Sequence, residues 1–336
     1  MQIQLMSSRH LVDPQLLPVL DAMPPMVFSR ETLADVRAIG DAAAAAYVAP
    51  VDDGVRVTAH QAPGLHGAPD VSVYLYEPAQ REGPLPAVFY IHGGGYFSGH
   101  PLRHDAWSRM LARELHCVVA AVRYRLAPET RYPGPHEDCY AGLLWLSRHA
   151  PELGIDPARI AIEGVSAGGG LAASLCLMAR DSGDVKVLFQ SLIYPMLDDR
   201  TGREGVARVG HTGEYVFPYQ VNSFGWDMLL GPEWSATAVP AYAAPARAQD
   251  LSGLPPAMVG AGALDALMKE NVDYAVRLID AGVSAQLHVY AGAFHGFDAF
   301  DRGRSQVGND FRKLRVETLR RAFALQATHN RVKNSR

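Results

Sequence analysis

A lone serine among glycines, in the stretch "RIAIEGVSAGGGLAASL" at residues 159–175, is the first place where the chain offers chemistry. Gly164-Val165-Ser166-Ala167-Gly168 has the G-x-S-x-G spacing of a nucleophile elbow, a sharp strand-to-helix turn that lifts a serine hydroxyl clear of a sheet. Glycine weakens a helix by about 1 kcal/mol relative to alanine, so a plain turn would not collect so many at a helix start. Their use here is steric: they make room for strand and helix to pack closely beside a displayed Ser166. A second glycine cluster, His92-Gly93-Gly94-Gly95 in "YIHGGGYFSGH", closes an apolar run. Amides without side chains around them can approach an oxyanion closely, so Gly93 and Gly94, joined by the amide of Ala167 at the helix start, are the expected donors to a tetrahedral intermediate. The loop has neither a G-x-G-x-x-G pattern nor the Walker spacing with its lysine, which argues against a phosphate loop.

A serine hydroxyl is a weak nucleophile until a base takes its proton, and the base must be oriented by an acid. Of thirteen histidines, His211, His288, His295 and His329 follow the serine, and of these His295 stands in a loop just past a strand-like run. Asp265, in "GAGALDALMKE", follows the preceding strand-like run and is the expected acid. The alternatives for that role are Glu270 and Asp273, and the plain structural reading of Asp265 is a helix cap. The chain order Ser166, Asp265, His295 is the order in which an elbow serine meets its partners.

These groups need a scaffold that brings distant loops to one edge. Strand-like segments occur at 54–60, 71–78, 86–92, 117–124, 159–164, 185–195, 256–262 and 285–292. From the third onward they are nearly continuous apolar runs, as strands buried on both faces require. Amphipathic helix patterns at 102–116, 136–149, 167–181, 268–281 and 310–326 alternate with them, which predicts an α/β fold with a mostly parallel sheet covered on both sides. Residues 1–50 and 197–250 break the alternation. Long excursions of this kind are commonly binding loops or lids, so both are expected to form one cap over a catalytic domain of residues 51–196 and 251–336.

Composition narrows the class further. The 336 residues carry a formal charge of −4 with both signs mixed along the chain, which points to neither nucleic acid nor an anionic membrane surface as a partner. Three cysteines, Cys117, Cys139 and Cys176, have no metal spacing and read as core thiols in a reducing compartment. The first twenty residues lack the pattern of a signal peptide, and no apolar run approaches the ~20 residues that span a bilayer. The expected location is cytoplasmic.

Taken together, "HGGG" (92–95), "YRLAPE" (124–129), "GVSAGGG" (164–170), "DAL" (265–267) and "HGF" (295–297) resemble the bacterial hormone-sensitive-lipase-like esterases, the family IV carboxylesterases of the α/β-hydrolase superfamily, over about residues 84–326. The resemblance implies the α/β-hydrolase fold, an eight-stranded sheet with a helical cap, and hydrolysis of short- to medium-chain acyl esters without metal or cofactor. It implies Ser166, Asp265 and His295 as the triad and Gly93, Gly94 and Ala167 as the oxyanion donors. This chain departs from the family at Val165, where Asp or Thr is usual, at Gly170, often Asn, and at Ala266, usually Pro.

Other expectations are structural. Arg125 and Glu129 of "YRLAPE" should form a buried ion pair with Asp138 nearby, because buried charges need partners. Tyr96, Phe97, Phe217 and Phe224, with Phe28 and Trp226, are candidates to line a substrate pocket, against the plain reading that large aromatics fill cores. An exposed edge near 285–291 invites pairing into a homodimer. If His295 is the base, activity should fall below about pH 6.5, the ordinary imidazole range. The rival readings are an amide or other acyl hydrolase on the same triad and a non-catalytic relative that only binds a small molecule.

Overall fold

The computed structural model describes residues 7–23, 28–47, 53–203, 206, 208–231 and 239–334. The apolar runs become strands β1 (Val55–Ala62), β2 (Val71–Pro78), β3 (Leu85–Ile91), β4 (Val118–Arg123), β5 (Ile155–Val165), β6 (Phe189–Ile193), β7 (Ala257–Gly262) and β8 (Ala285–Tyr290). They form one sheet in the order β1-β2-β4-β3-β5-β6-β7-β8. β2 is antiparallel to both β1 and β4, and the remaining neighbours are parallel. Parallel pairing puts the C-terminal ends of β3, β5, β6, β7 and β8 along one edge, where loops far apart in sequence meet.

The helices are α1 (Leu17–Asp21), α2 (Leu33–Ala45), α3 (Asp105–Leu115), α4 (Gly134–Arg148), α5 (Ala167–Ser182), α6 (Tyr219–Leu230), α7 (Met268–Asp280), the short α8 (Phe297–Phe300) and α9 (Gln306–Asn334). Successive side chains of β3 serve opposite faces of the sheet. Phe89 and Ile91 pack with Leu143 of α4, Leu171 of α5 and Leu278 of α7. Val88 and Tyr90 pack with Leu111 of α3 and Phe311 of α9. From β3 to β7 the strands are largely buried on both faces, which is why their sequences are continuously apolar rather than alternating; β8, expected to be buried in the same way, has no fully buried residue, because it is the last strand at the sheet's edge. Cys117, Cys139 and Cys176 are buried free thiols within these cores. Among the described residues no helix is long and apolar enough to cross a membrane.

The two segments that break the alternation touch one another. Ser8 donates to Glu214 through its amide at 2.5 Å and its hydroxyl at 2.6 Å. Phe28 packs against Phe97 at 5.6 Å between ring centroids, and Phe97 against Phe224 of α6 at 5.1 Å. Arg37 of α2 reaches the loops after β3 and β4, where it donates to the carbonyls of Phe97 (2.7 Å) and Ala127 and pairs with Glu129 at 2.7 Å.

That contact corrects the expected ion pair. Arg125 and Glu129 are not partners: Arg125 binds the buried Asp138 of α4 at 2.6 Å, while Glu129 is largely exposed and turned to Arg37. Asp138 also accepts the backbone amide of Arg125 at 2.8 Å, so the carboxylate engages both ends of that residue and leaves no place for Glu129.

Two histidines lie deep in the core. Burial holds the imidazoles of His92 and His136 down to about 3, so both are neutral in the folded protein. In the unfolded chain they take up a proton near pH 6.5. The unfolded state therefore binds more protons between the two values, and stability falls as pH drops below about 6.5, by up to about 1.4 kcal/mol per pH unit for each group. Thermal melts from pH 7 to pH 5 should show a falling Tm, with a shallower slope in His136→Gln; equal slopes would show that His136 already carries its proton when folded.

Candidate active site

β5 ends at Val165 and α5 begins at Ala167, which leaves Ser166 alone at the turn with φ 58° and ψ −120°. Only dense local support keeps a residue with a side chain in such a sparsely populated region. The Ser166 amide donates to the carbonyl of Ile193 at 2.9 Å, and its own carbonyl accepts from Gly169, Gly170 and Met196 at 2.8, 3.1 and 3.0 Å. The turn closes because its glycines have no Cβ. A Cβ on Gly164 would lie 2.1 Å from the carbonyl oxygen of Gly168, and one on Gly168 would lie 2.3 Å from that of Ile91 in β3.

Two loops at the same edge complete a hydrogen-bonded chain. The Ser166 hydroxyl lies 2.9 Å from Nε2 of His295, whose Nδ1 lies 2.7 Å from Oδ2 of Asp265. A carboxylate only accepts, so Nδ1 carries the proton and Nε2 is left to accept from the serine. Asp265 has no exposed surface, and its other oxygen accepts the amide of Leu267 at 2.9 Å, which fixes the carboxylate in the loop after β7. Glu270, the alternative acid, faces elsewhere: it is buried and accepts the amides of Leu197 (2.7 Å) and Asp198 (3.2 Å), and burial pushes its carboxyl well above the usual range. Asp273 pairs with Lys269 on the exposed side of α7.

The glycine loop after β3 lies against the serine, since a Cβ on Gly93 would come within 3.2 Å of the Ser166 Cβ. Gly94 has φ +124°, and a Cβ there would stand 2.0 Å from the Ser98 carbonyl oxygen. His92 anchors the base of the loop: Nδ1–H donates to the Gly93 carbonyl at 2.8 Å, and the ring stacks on Tyr124 at 4.3 Å. Among the described residues, the amides of Gly93, Gly94 and Ala167 have no hydrogen-bond acceptor within the protein.

A sequence profile of the alpha/beta hydrolase fold matches residues 88–299. The carboxylesterase NlhH of Mycobacterium tuberculosis is 37% identical over 242 residues, 70% of this chain and 74% of that protein. An arylesterase of Saccharolobus solfataricus is 33% identical over 240 residues, 71% of this chain and 76% of its own. Among solved structures, a bacterial heroin esterase superposes with a TM-score of 0.87 at 40% identity, covering 94% of this chain and 99% of that one. The chain belongs to the α/β-hydrolase family, in its hormone-sensitive-lipase-like branch.

Within this hydrolase fold the departures noted in the sequence take physical form. Val165 is buried among the apolar residues of the α3 and α9 face. Gly170 has no room for a larger residue, because a Cβ there would lie 2.0 Å from the Met196 carbonyl oxygen. The aromatic candidates divide. Phe217 stacks on the His295 ring at 4.7 Å, and Phe97 and Phe224 meet edge to face at the junction of loop and α6. Tyr96 has no exposed surface; its hydroxyl donates to the Met196 carbonyl at 3.0 Å and its ring packs on the buried Trp226, so both support the site from behind.

Sequence reasoning missed Tyr194, whose ring meets His295 edge-on at 4.8 Å, and Arg37, which holds the carbonyl of Phe97 from α2. Neither stands in a motif with its own chemistry, and both act through contacts between segments distant in the chain. The elbow itself makes a direct forecast: Gly164→Ala forces a methyl group onto a backbone oxygen. It should cost about 1–3 kcal/mol or more and lower activity in whatever fraction folds. An unchanged Tm by calorimetry would show that the turn has slack that these contacts deny.

Proposed function

We propose that the protein is a serine carboxylesterase in which Ser166 is the nucleophile, His295 the general base and Asp265 its orienting acid. The observation that carries this reading is the continuous chain of hydrogen bonds from Asp265 through His295 to Ser166. His295 takes the hydroxyl proton as Ser166 attacks the ester carbonyl, and a tetrahedral oxyanion forms. The free amides of Gly93, Gly94 and Ala167 receive that charge; each such donor is worth about 10²–10³ in rate. Collapse of the intermediate expels the alcohol, which leaves with the proton from His295 and gives an acyl-Ser166 ester. Water, deprotonated by the same imidazole, then attacks the acyl-enzyme, and the carboxylic acid departs as Ser166 regains its proton.

The substrate class is small esters with short to medium acyl chains, in keeping with a compact aromatic setting around the serine. The described parts of residues 1–50 and 197–250 act as one cap over the site; residues 1–6, 24–27, 48–50, 204–205, 207 and 232–238 of these segments lie outside the described residues. The contacts between Ser8 and Glu214, and the succession Phe28, Phe97 and Phe224, support that reading. Three buried free thiols favour a reducing, cytoplasmic setting. β8, at the edge of the sheet beside β7, is the surface through which two copies would pair.

Hydrolysis of p-nitrophenyl acetate, butyrate, octanoate and palmitate, with matched amides alongside, tests the chemistry. The short esters should turn over fastest, Ser166→Ala should abolish turnover, and Asp265→Asn should lower kcat by about 10⁴-fold. An amide hydrolysed faster than its ester would reassign the enzyme to amide hydrolysis, and wild-type inertness on every substrate would favour a binding role. Solution scattering at micromolar concentration should give a dimer mass; a monomer would end the β8 proposal.

A further inference from the structure

Behind His295 lies a buried charged chain that the hydrolytic mechanism does not use. Tyr194, whose ring meets the imidazole edge-on, donates its hydroxyl to Oδ1 of Asp298 at 2.8 Å. The other Asp298 oxygen accepts Nη1 of Arg315 from α9 at 2.7 Å, and Nη2 of Arg315 donates to Glu163 at 2.9 Å. Asp298, Arg315 and Glu163 are at most 4% exposed. Glu163 is further pinned by Trp107, which donates its indole N–H at 2.6 Å, and by the Ser191 hydroxyl at 3.0 Å, while the guanidinium lies 3.8 Å over the Trp107 ring.

Apolar residues of similar volume often match or exceed the stability of such a buried chain, so stability alone does not account for it. Its two ends supply one. Glu163 stands in β5 three residues before Ser166, and Tyr194 stands immediately after β6 against the ring that must face Ser166. Resting on reading this site as an esterase, we propose that the chain Glu163, Arg315, Asp298 and Tyr194 is a positioning device that ties the wall behind His295 to the strand presenting the nucleophile. Phe217 stacks on the same imidazole at 4.7 Å, so the ring meets one aromatic that directly follows β6 and one borne by the 197–250 segment. The three ionic groups sum to one negative charge, which also favours the imidazolium formed when Ser166 attacks. The titratable groups facing His295 are Asp265 from the loop after β7, Tyr194 from the loop after β6, and Ser166 itself.

Tyr194→Phe keeps the ring and cuts its tie to Asp298, and Glu163→Gln keeps the shape of the anchor and removes its charge. Both are measured on a short p-nitrophenyl ester beside wild type and Ser166→Ala, with Tm recorded for each. The expected result is kcat about tenfold lower with KM within about twofold in Tyr194→Phe. In Glu163→Gln the acid limb of the kcat/KM profile should move to lower pH, because the imidazolium has lost a favourable charge. A purely structural chain would lower Tm and leave kcat and the acid limb of the folded enzyme at wild-type values, and that result overturns the proposal. If Glu163→Gln yields no folded protein, the kcat of Tyr194→Phe decides alone. Complete loss of turnover in Ser166→Ala, with Tyr194→Phe at the wild-type rate, would sink the positioning role and leave the esterase reading intact.

Discussion

Ser166 has a backbone conformation that costs a residue with a side chain about 1–3 kcal/mol, and much of the surrounding structure holds it there. The strain is offset by four backbone hydrogen bonds to the amide and carbonyl of this one residue, from β6, from the first turn of α5 and from the segment after β6. It also requires β3, β5 and α5 to approach more closely than side chains allow, which is what Gly164 and Gly168 permit. The hydroxyl thereby stands at the end of β5, at the start of a helix whose dipole favours negative charge beside it.

Parallel topology does the rest of the assembly. His92, Ser166, Asp265 and His295 follow β3, β5, β7 and β8, so residues as many as 203 positions apart arrive at one edge without any of them being adjacent in sequence. The loops that carry them are not left to themselves. Tyr124 braces the glycine loop through His92, the Leu267 amide braces Asp265, and Arg37 reaches down from α2 to the Phe97 carbonyl. The 197–250 segment contributes Phe217 directly to the face of His295, so a segment outside the sheet takes part in the geometry of the site.

Much of this was legible from the chain alone. The eight strands, the burial of the central ones on both faces and the order Ser166, Asp265, His295 follow from period and motif, because they depend on local patterns that one sequence displays, whereas the apolar run of β8 did not reveal that this strand lies half-exposed at the sheet's edge. The partner of Arg125 was not legible. Glu129 is four residues away and Asp138 thirteen, yet α4 places Asp138 under Arg125 while Glu129 faces outward to Arg37. Tyr96 was read as a pocket residue from its place beside the glycine loop, but its hydroxyl is committed to the Met196 carbonyl, a hundred residues on.

The sequence by itself determined the candidate residues Ser166, Asp265 and His295, the strained turn and the layered sheet, since each depends on residue type and short spacing. Only the tertiary structure decided what surrounds the imidazole: Tyr194 on one side, Phe217 on another, and behind Tyr194 a buried chain that ends on Glu163. Contacts of that kind depend on how β6, α9 and the 197–250 segment pack against one another. A buried glutamate and an arginine 152 residues apart carry no local signature of being partners until the sheet and α9 close around them.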